Sequence, residues 1–298
     1  MKRFQILLLF SIIGLKACGT ETTVDHVMEE PIEESSSFES TEPLDRDAQQ
    51  EQNEVPLDDQ EEKREADLDL SLYENKEPTQ WGEFVEGVKT QMDTEEKVIA
   101  LTFDACGGPY GNGYDEELME FLKTEDVPAT LFINERWILE HEALFLELAN
   151  EPLFQIENHG TKHLPLSVRG ESAWGIEGTS NPVSVKEEVM GNQRTIQALT
   201  GRAPTLFRSG TAFYDDVAVG MVQDLGLEVV NFNVLGDAGA TFSADQVYRA
   251  LMGAKNGSIV LLHMNQPQSG TREGVKKAVM ELREEGFEFV TLEGQDLK

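Results

Sequence analysis

KVIALTFDACGG, residues Lys97 to Gly108, is the stretch that decides the fold of this chain. Val98 to Phe103 is a run of apolar and β-branched residues, the pattern of a strand buried on both faces, and it stops at an acid, Asp104, just before a Gly-Gly turn. In α/β enzymes, ligands and catalytic groups gather at the carboxyl ends of parallel strands. A carboxylate delivered to such an end makes Asp104 the first candidate for chemistry.

Downstream the pattern alternates between helix and strand. Helical spacing over 115–124 is followed by a strand at 129–133, then a helix over 136–150 and a strand at 153–156. Ser184-Val185-Lys186-Glu187 reads as a capping box opening a helix that Gly201 stops, with a short strand at 205–207 after it. The remaining pairs are helix 216–225 with strand 228–234, helix 243–256 with strand 258–262, and helix 271–286 with strand 287–292. About seven strands separated by helices predict an α/β domain with a parallel sheet inside and helices outside. A distorted (β/α) barrel is favoured over an open sheet. Asp104, the His159 region, Arg208, Asp237 and His263 all fall at or just after carboxyl ends of strands, and in a barrel those ends share one face.

The front of the chain is of another kind. Lys2 and Arg3 precede an apolar run from Ile6 to Leu15, far short of the roughly 20 residues a bilayer-spanning helix needs, which is the layout of a secretory signal. Its end, Leu15-Lys16-Ala17-Cys18, resembles the lipobox of bacterial lipoproteins, and that resemblance implies cleavage before Cys18, a lipid on its thiol and an extracytoplasmic, membrane-anchored location. Lys16 departs from the motif and leaves plain secretion or an uncleaved anchor open. Residues 19–78 carry 21 acidic and 4 basic residues, a net of −17 out of −32 for the chain, with Phe38 and Tyr73 as the sole aromatics. Such a segment buries too little apolar surface to offset its ordering entropy and is expected to be a disordered, self-repelling tether. Residues 79–298 then form one domain with a full core. The acidity of the chain argues against nucleic acid as a partner. With Cys18 lipidated, Cys106 has no disulfide partner.

The five histidines divide by context. His26 and His141 read as solvated surface residues. His159 and His163, four apart after a strand, would share one side of a helical turn, a spacing suited to one metal ion. His263 ends the strand Ile259-Val260-Leu261-Leu262 and is either a core imidazole or a general acid, since imidazole titrates near neutrality. Arg208, at the end of a buried strand in an acidic domain, is suited to pairing with a carboxylate such as Asp104.

Together these residues resemble the polysaccharide deacetylases, carbohydrate esterase family 4 or the NodB-homology domain, over Lys97 to Leu292. The motifs are Thr102-Phe103-Asp104, His159 to His163, Phe207-Arg208, Asp237, and Leu261-Leu262-His263, with Gly286 to Leu292 similar to the closing strand. The resemblance implies a NodB-like barrel and metal-assisted removal of an N-acetyl group from an amino-sugar glycan. It makes Asp104 the general base, and His159 and His163 metal ligands. Arg208 becomes the group that orients Asp104, His263 the general acid, and Asp237 the residue setting its protonation. The cofactor implied is a divalent metal, zinc first, with cobalt, nickel or manganese as alternatives. An N-acetylated glycan such as peptidoglycan or a chitin-like oligosaccharide is the expected substrate.

The chain departs from the family pattern where a second acid, the third metal ligand, would follow the base: the residue is Ala105. Cys106 as thiolate, Asp104 itself, or Asp115 are possible replacements, and strand alternation puts Cys106 on the side of Asp104. Ser209 replaces a proline after the arginine, and Ala238 stands where a tryptophan is usual, leaving Leu235 or Phe213 to wall in the acetyl methyl. Trp174, in the long loop 168–182, is a candidate for stacking on a sugar or for anchoring that loop. Two other functions stay in view: a carbohydrate-binding lipoprotein that has lost hydrolysis with the second acid, and a hydrolase of a different amide.

Overall fold

A computed structural model of the chain describes residues 64–298. The signal sequence at 1–18, Cys18 and the tether up to residue 63 lie outside the described residues. The segment 64–78, expected to belong to the tether, is instead applied to the domain. Tyr73 is 3% exposed and its hydroxyl donates to Asp224, while Glu65 pairs with Arg194 at 2.8 Å. Lys186 also pairs with Glu65 and Arg169 with Glu77, and Leu68 and Leu70 pack beside Tyr73, so a charge-rich segment that composition alone places in solvent is held by several local contacts.

The main sheet is built from β1 (Val98–Ala105), β2 (Ala129–Ile133), β3 (Phe154–Asn158), β4 (Leu206–Phe207), β5 (Glu228–Val229), β6 (Val234–Leu235), β7 (Ser258–His263) and β8 (Glu288–Phe289). Their order is β6-β7-β1-β2-β3-β4-β5, every pairing is parallel, and β8 pairs with the start of β1. The two ends of that order, β5 and β6, belong to one run of chain, residues 228–235. This run leaves β4 at one end and joins β7 at the other, so the sheet curls back on itself in the distorted barrel that the sequence predicts.

Strand alternation separates the two faces. In β1, Ile99, Leu101, Phe103 and Ala105 join the layer under the helices, whereas Val98 and Ala100 belong to the inner cluster with Ile259, Leu261 and Phe132. Thr102 and Asp104 continue that inner face. The outer layer receives α1 (Glu116–Thr124), α2 (Glu135–Glu140), α3 (Glu142–Ala149), α6 (Ala244–Leu251) and α7 (Thr271–Glu284). Phe103, fully buried in that layer, would cost about 3–5 kcal/mol if cut back to alanine. A second cluster packs α4 (Pro182–Thr200) and α5 (Asp216–Asp224) over β4 and β5.

Three local expectations are corrected. The helix expected over 136–150 breaks at His141, where ψ is 37°, because its Nε2 lies 2.8 Å from the Asn112 carbonyl and its ring lies on Trp137 at 4.7 Å. His141 is thus a packed residue that ties down the glycine-rich loop after β1, and not a solvated one. The cap of helix α4 lies three residues before Ser184: Asn181 is its N-cap, Pro182 takes the first helical position, and Ser184 closes the box from inside. His159 and His163 lie on no helix at all.

Candidate active site

Inner-face alternation and strand ends place the titratable groups. Asp104 in β1 and His263 in β7 are partners in register at the carboxyl ends of adjacent strands. Asp104 is 4% exposed, and its Oδ1 accepts from Arg208 Nη1 at 2.8 Å. Arg208 is fully buried and its other donors are also used: Nη1 on Thr102 Oγ1 at 2.9 Å, Nε on the Val230 carbonyl, and Nη2 on the Asn231 carbonyl. The guanidinium lies 4.1 Å over the Phe132 ring. One rigid cation thereby fixes one oxygen of Asp104 and leaves Oδ2 turned to the histidines, 3.5 Å from His159 Nε2.

The two metal-spaced histidines meet through a loop. Gly160 (φ 79°) and His163 (φ 64°) both take left-handed backbone, which brings the rings within 5.0 Å at an interplanar angle of 87°. Glu188 of α4, which sequence reading passes over, holds the loop in that shape: its carboxylate accepts from the Lys162 N–H at 2.9 Å and the Leu164 N–H at 3.0 Å. Burial raises the pKa of Glu188 to about 7 even though these N–H groups pull it down. A signal existed, since an acid stands in the buried stripe Val185, Glu188, Val189, Asn192. Gly210 completes the cradle, because a Cβ there would sit 2.4 Å from the His163 carbonyl carbon.

Because His159 Nδ1 lies 3.0 Å from the Arg208 carbonyl, which can only accept, Nδ1 carries a proton and Nε2 faces Cys106 Sγ at 4.0 Å. The donor atoms of Cys106, His159 and His163 all lie within 4.8 Å of one another, and His163 Nε2 is buried with no hydrogen-bond partner. A soft thiolate, two imidazoles and an orphaned ring nitrogen aimed among them fit a divalent ion of the zinc type. Burial would push the Cys106 thiol up, yet the charge of His163, with the imidazoles of His159 and His263 nearby, brings it well below its ordinary value. Ala105 is on the other face, fully buried against the helix layer. Asp115 is engaged elsewhere: it caps α1 at the Leu118 N–H and pairs with Arg272 at 2.9 Å.

Opposite this cluster stands the His263–Asp237 pair. Nδ1 of His263 lies 2.8 Å from Asp237 Oδ1, and Asp237 Oδ2 accepts from the His263 N–H at 2.7 Å and the Thr271 hydroxyl at 2.9 Å. Burial works to lower the pKa of His263, but the charge and hydrogen bond of Asp237, with Cys106 behind them, carry it well above the ordinary value. The ring is therefore held toward its protonated form, with Nδ1 committed to Asp237. Leu235 is 45% exposed, and Phe213 lies beside the loop that follows Arg208.

Residues 91–230 match the family Polysaccharide deacetylase. The chain is 22% identical over 209 residues to the peptidoglycan-N-acetylmuramic acid deacetylase PdaA of Bacillus subtilis, covering 67% of this chain and 72% of that one. Among solved structures it is similar to a family 4 acetyl xylan esterase from Clostridium thermocellum in complex with a cobalt ion, at TM-score 0.55 and 25% identity over 66% of this chain and 88% of that one. It is similar also to a carbohydrate esterase family 4 pseudoenzyme from Bacillus anthracis, at TM-score 0.57 and 22% identity over 68% and 66% of the two chains.

Proposed function

We propose that this chain is a polysaccharide deacetylase of carbohydrate esterase family 4, a metal-dependent hydrolase that removes N-acetyl groups from amino-sugar glycans. The observation that carries the reading is the placement of Asp104 and His263 as register partners with the Cys106–His159–His163 cluster beside them. That arrangement puts a base, an acid and a cation site around one point.

Cys106, His159 and His163 would hold the ion, which when bound supplies Lewis-acid polarisation and makes water more acidic. Asp104 is the base. Arg208 holds its Oδ1, so Oδ2 is the atom free to take a proton from water. His263 is the acid: Asp237 fixes Nδ1–H and leaves Nε2–H to protonate the departing amine. The full burial of Arg208 and Asp237 keeps both supporting charges from rotating away.

Ala105 is the reason to weigh a second reading, a glycan-binding protein without turnover. Its place in the outer layer supports Cys106, on the side of Asp104, as the residue standing in for the missing acid. The substrate expected is an N-acetylated glycan, peptidoglycan or a chitin-like chain, and the Cys18 motif supports presentation of the domain at a membrane surface outside the cytoplasm. The test is acetate release from N-acetylglucosamine oligomers and peptidoglycan by the full chain and by Asp104→Asn and His263→Ala variants. Loss of release by about 100-fold or more in each supports the roles, and variants as fast as the parent would refute them.

A further inference from the structure

Residues Ser172 to Glu177 form a two-residue hairpin, with Ala173 paired to Ile176 and Trp174-Gly175 at the tip. Trp174 has φ 55° and Gly175 φ 78°, the backbone of a turn whose first position suits asparagine or glycine. A bulky ring held there is strained, and this one is also 75% exposed, so neither backbone preference nor burial accounts for it. Its ring meets Phe213 edge-on at 5.6 Å, and Phe213 also meets Trp81, tilted, at 5.7 Å. The three rings form a continuous aromatic row.

That row is joined to the site at both roots. The hairpin is fastened to the segment after His163, with the Thr179 N–H on the Pro165 carbonyl and the Thr179 hydroxyl on the Ser167 carbonyl. Phe213 ends the loop from Arg208, where its carbonyl accepts from Ser209 Oγ and from the Leu166 N–H, and that loop presses Gly210 against His163. The row thus stands on the two loop segments that follow His163 and Arg208.

We propose that Trp174, backed by Phe213 and Trp81, is a stacking shelf for a distal sugar ring of a β-linked N-acetylhexosamine chain, selecting polymer over single sugars. The inference rests on the deacetylase reading for its substrate class. Its chemistry is the apolar face of a pyranose laid on an indole exposed to solvent beside the loops that carry His163 and Arg208.

The test is calorimetric titration of the zinc-loaded full chain, in an Asp104→Asn background that stops turnover, with N-acetylglucosamine and its β-1,4-linked hexamer. Trp174→Asn suits the left-handed turn and should leave the fold and thermal midpoint intact or improved. It should weaken hexamer binding about tenfold and leave the monosaccharide unchanged, and Trp174→Phe should restore part of the loss. Hexamer binding equal in the Asn variant and parent, or no hexamer binding by the parent, would overturn the shelf. Loss of hexamer binding on Trp174→Asn, together with no acetate release by the chain that keeps Asp104, would sink the hydrolase reading and leave the shelf standing.

Discussion

Removing Arg208 should damage this protein far more than removing its partner. The guanidinium is fully buried, and Arg208→Met strips Asp104 Oδ1, Thr102 Oγ1 and two backbone carbonyls of their donor together. Asp104, 4% exposed, becomes a buried carboxylate stripped of its guanidinium, with only the His159 ring at 3.5 Å beside it, a loss of about 3–5 kcal/mol. Asp104→Asn keeps an acceptor oxygen for Nη1 and leaves the other donors of Arg208 engaged, so it should cost no more than about 2 kcal/mol. The double variant removes the uncompensated charge and should be more stable than the sum of the two losses predicts, by about 1–3 kcal/mol. Urea unfolding of the full chain and the three variants measures all of these, and heating should show Arg208→Met roughly 10 °C below the parent. Equal losses for the two single variants, or strict additivity in the double, would refute the argument that Arg208 is the keystone of a buried charge pair.

Other consequences follow from neighbouring groups. Cys106→Ala should weaken cobalt binding at least tenfold and abolish the thiolate-to-cobalt charge-transfer band of the parent, read by absorption; an unchanged band would place the thiol outside the coordination sphere. Asp237→Asn removes the charge that keeps His263 protonated, so the alkaline limb of the pH–rate profile should move to lower pH, while an unmoved limb would assign that limb to another group. Glu157, buried between β3 and the start of β4, has its pKa raised from 4.5 to about 7 by burial. The unfolded chain therefore loses this proton first, and stability should fall as pH rises from about 4.5 to about 7, by up to about 3 kcal/mol. Glu157→Gln should flatten that slope in unfolding experiments, whatever constant offset it adds; the same slope in both proteins would show that Glu157 is ionised throughout.

How much of this was legible in the sequence depended on how local its cause was. The β1 strand was plain because Val98 to Phe103 is apolar without interruption, a pattern that burial on both faces demands. The run at 228–234 was legible as extended chain but not as two short pairings, because its division follows from where β4 and β7 stand across the barrel. The break at His141 was hidden, since its cause is a carbonyl of the loop after β1, distant in sequence. The cap of α4 was available in Asn181-Pro182, where proline marks a first helical position better than Ser184 marks a cap. His159 and His163 were found by spacing but for a helical reason that does not hold; a left-handed residue and the Glu188 carboxylate bring them together.

A metal-dependent deacetylase built around the Cys106–His159–His163 site is the reading on which the others depend. It is tested most directly by measuring acetate release from N-acetylglucosamine oligomers by the full chain before chelation, after chelation and after return of zinc or cobalt. Release that chelation abolishes and the metal restores is the predicted result. Release that chelation leaves untouched, or none with any metal on any N-acetylated glycan, would contradict it.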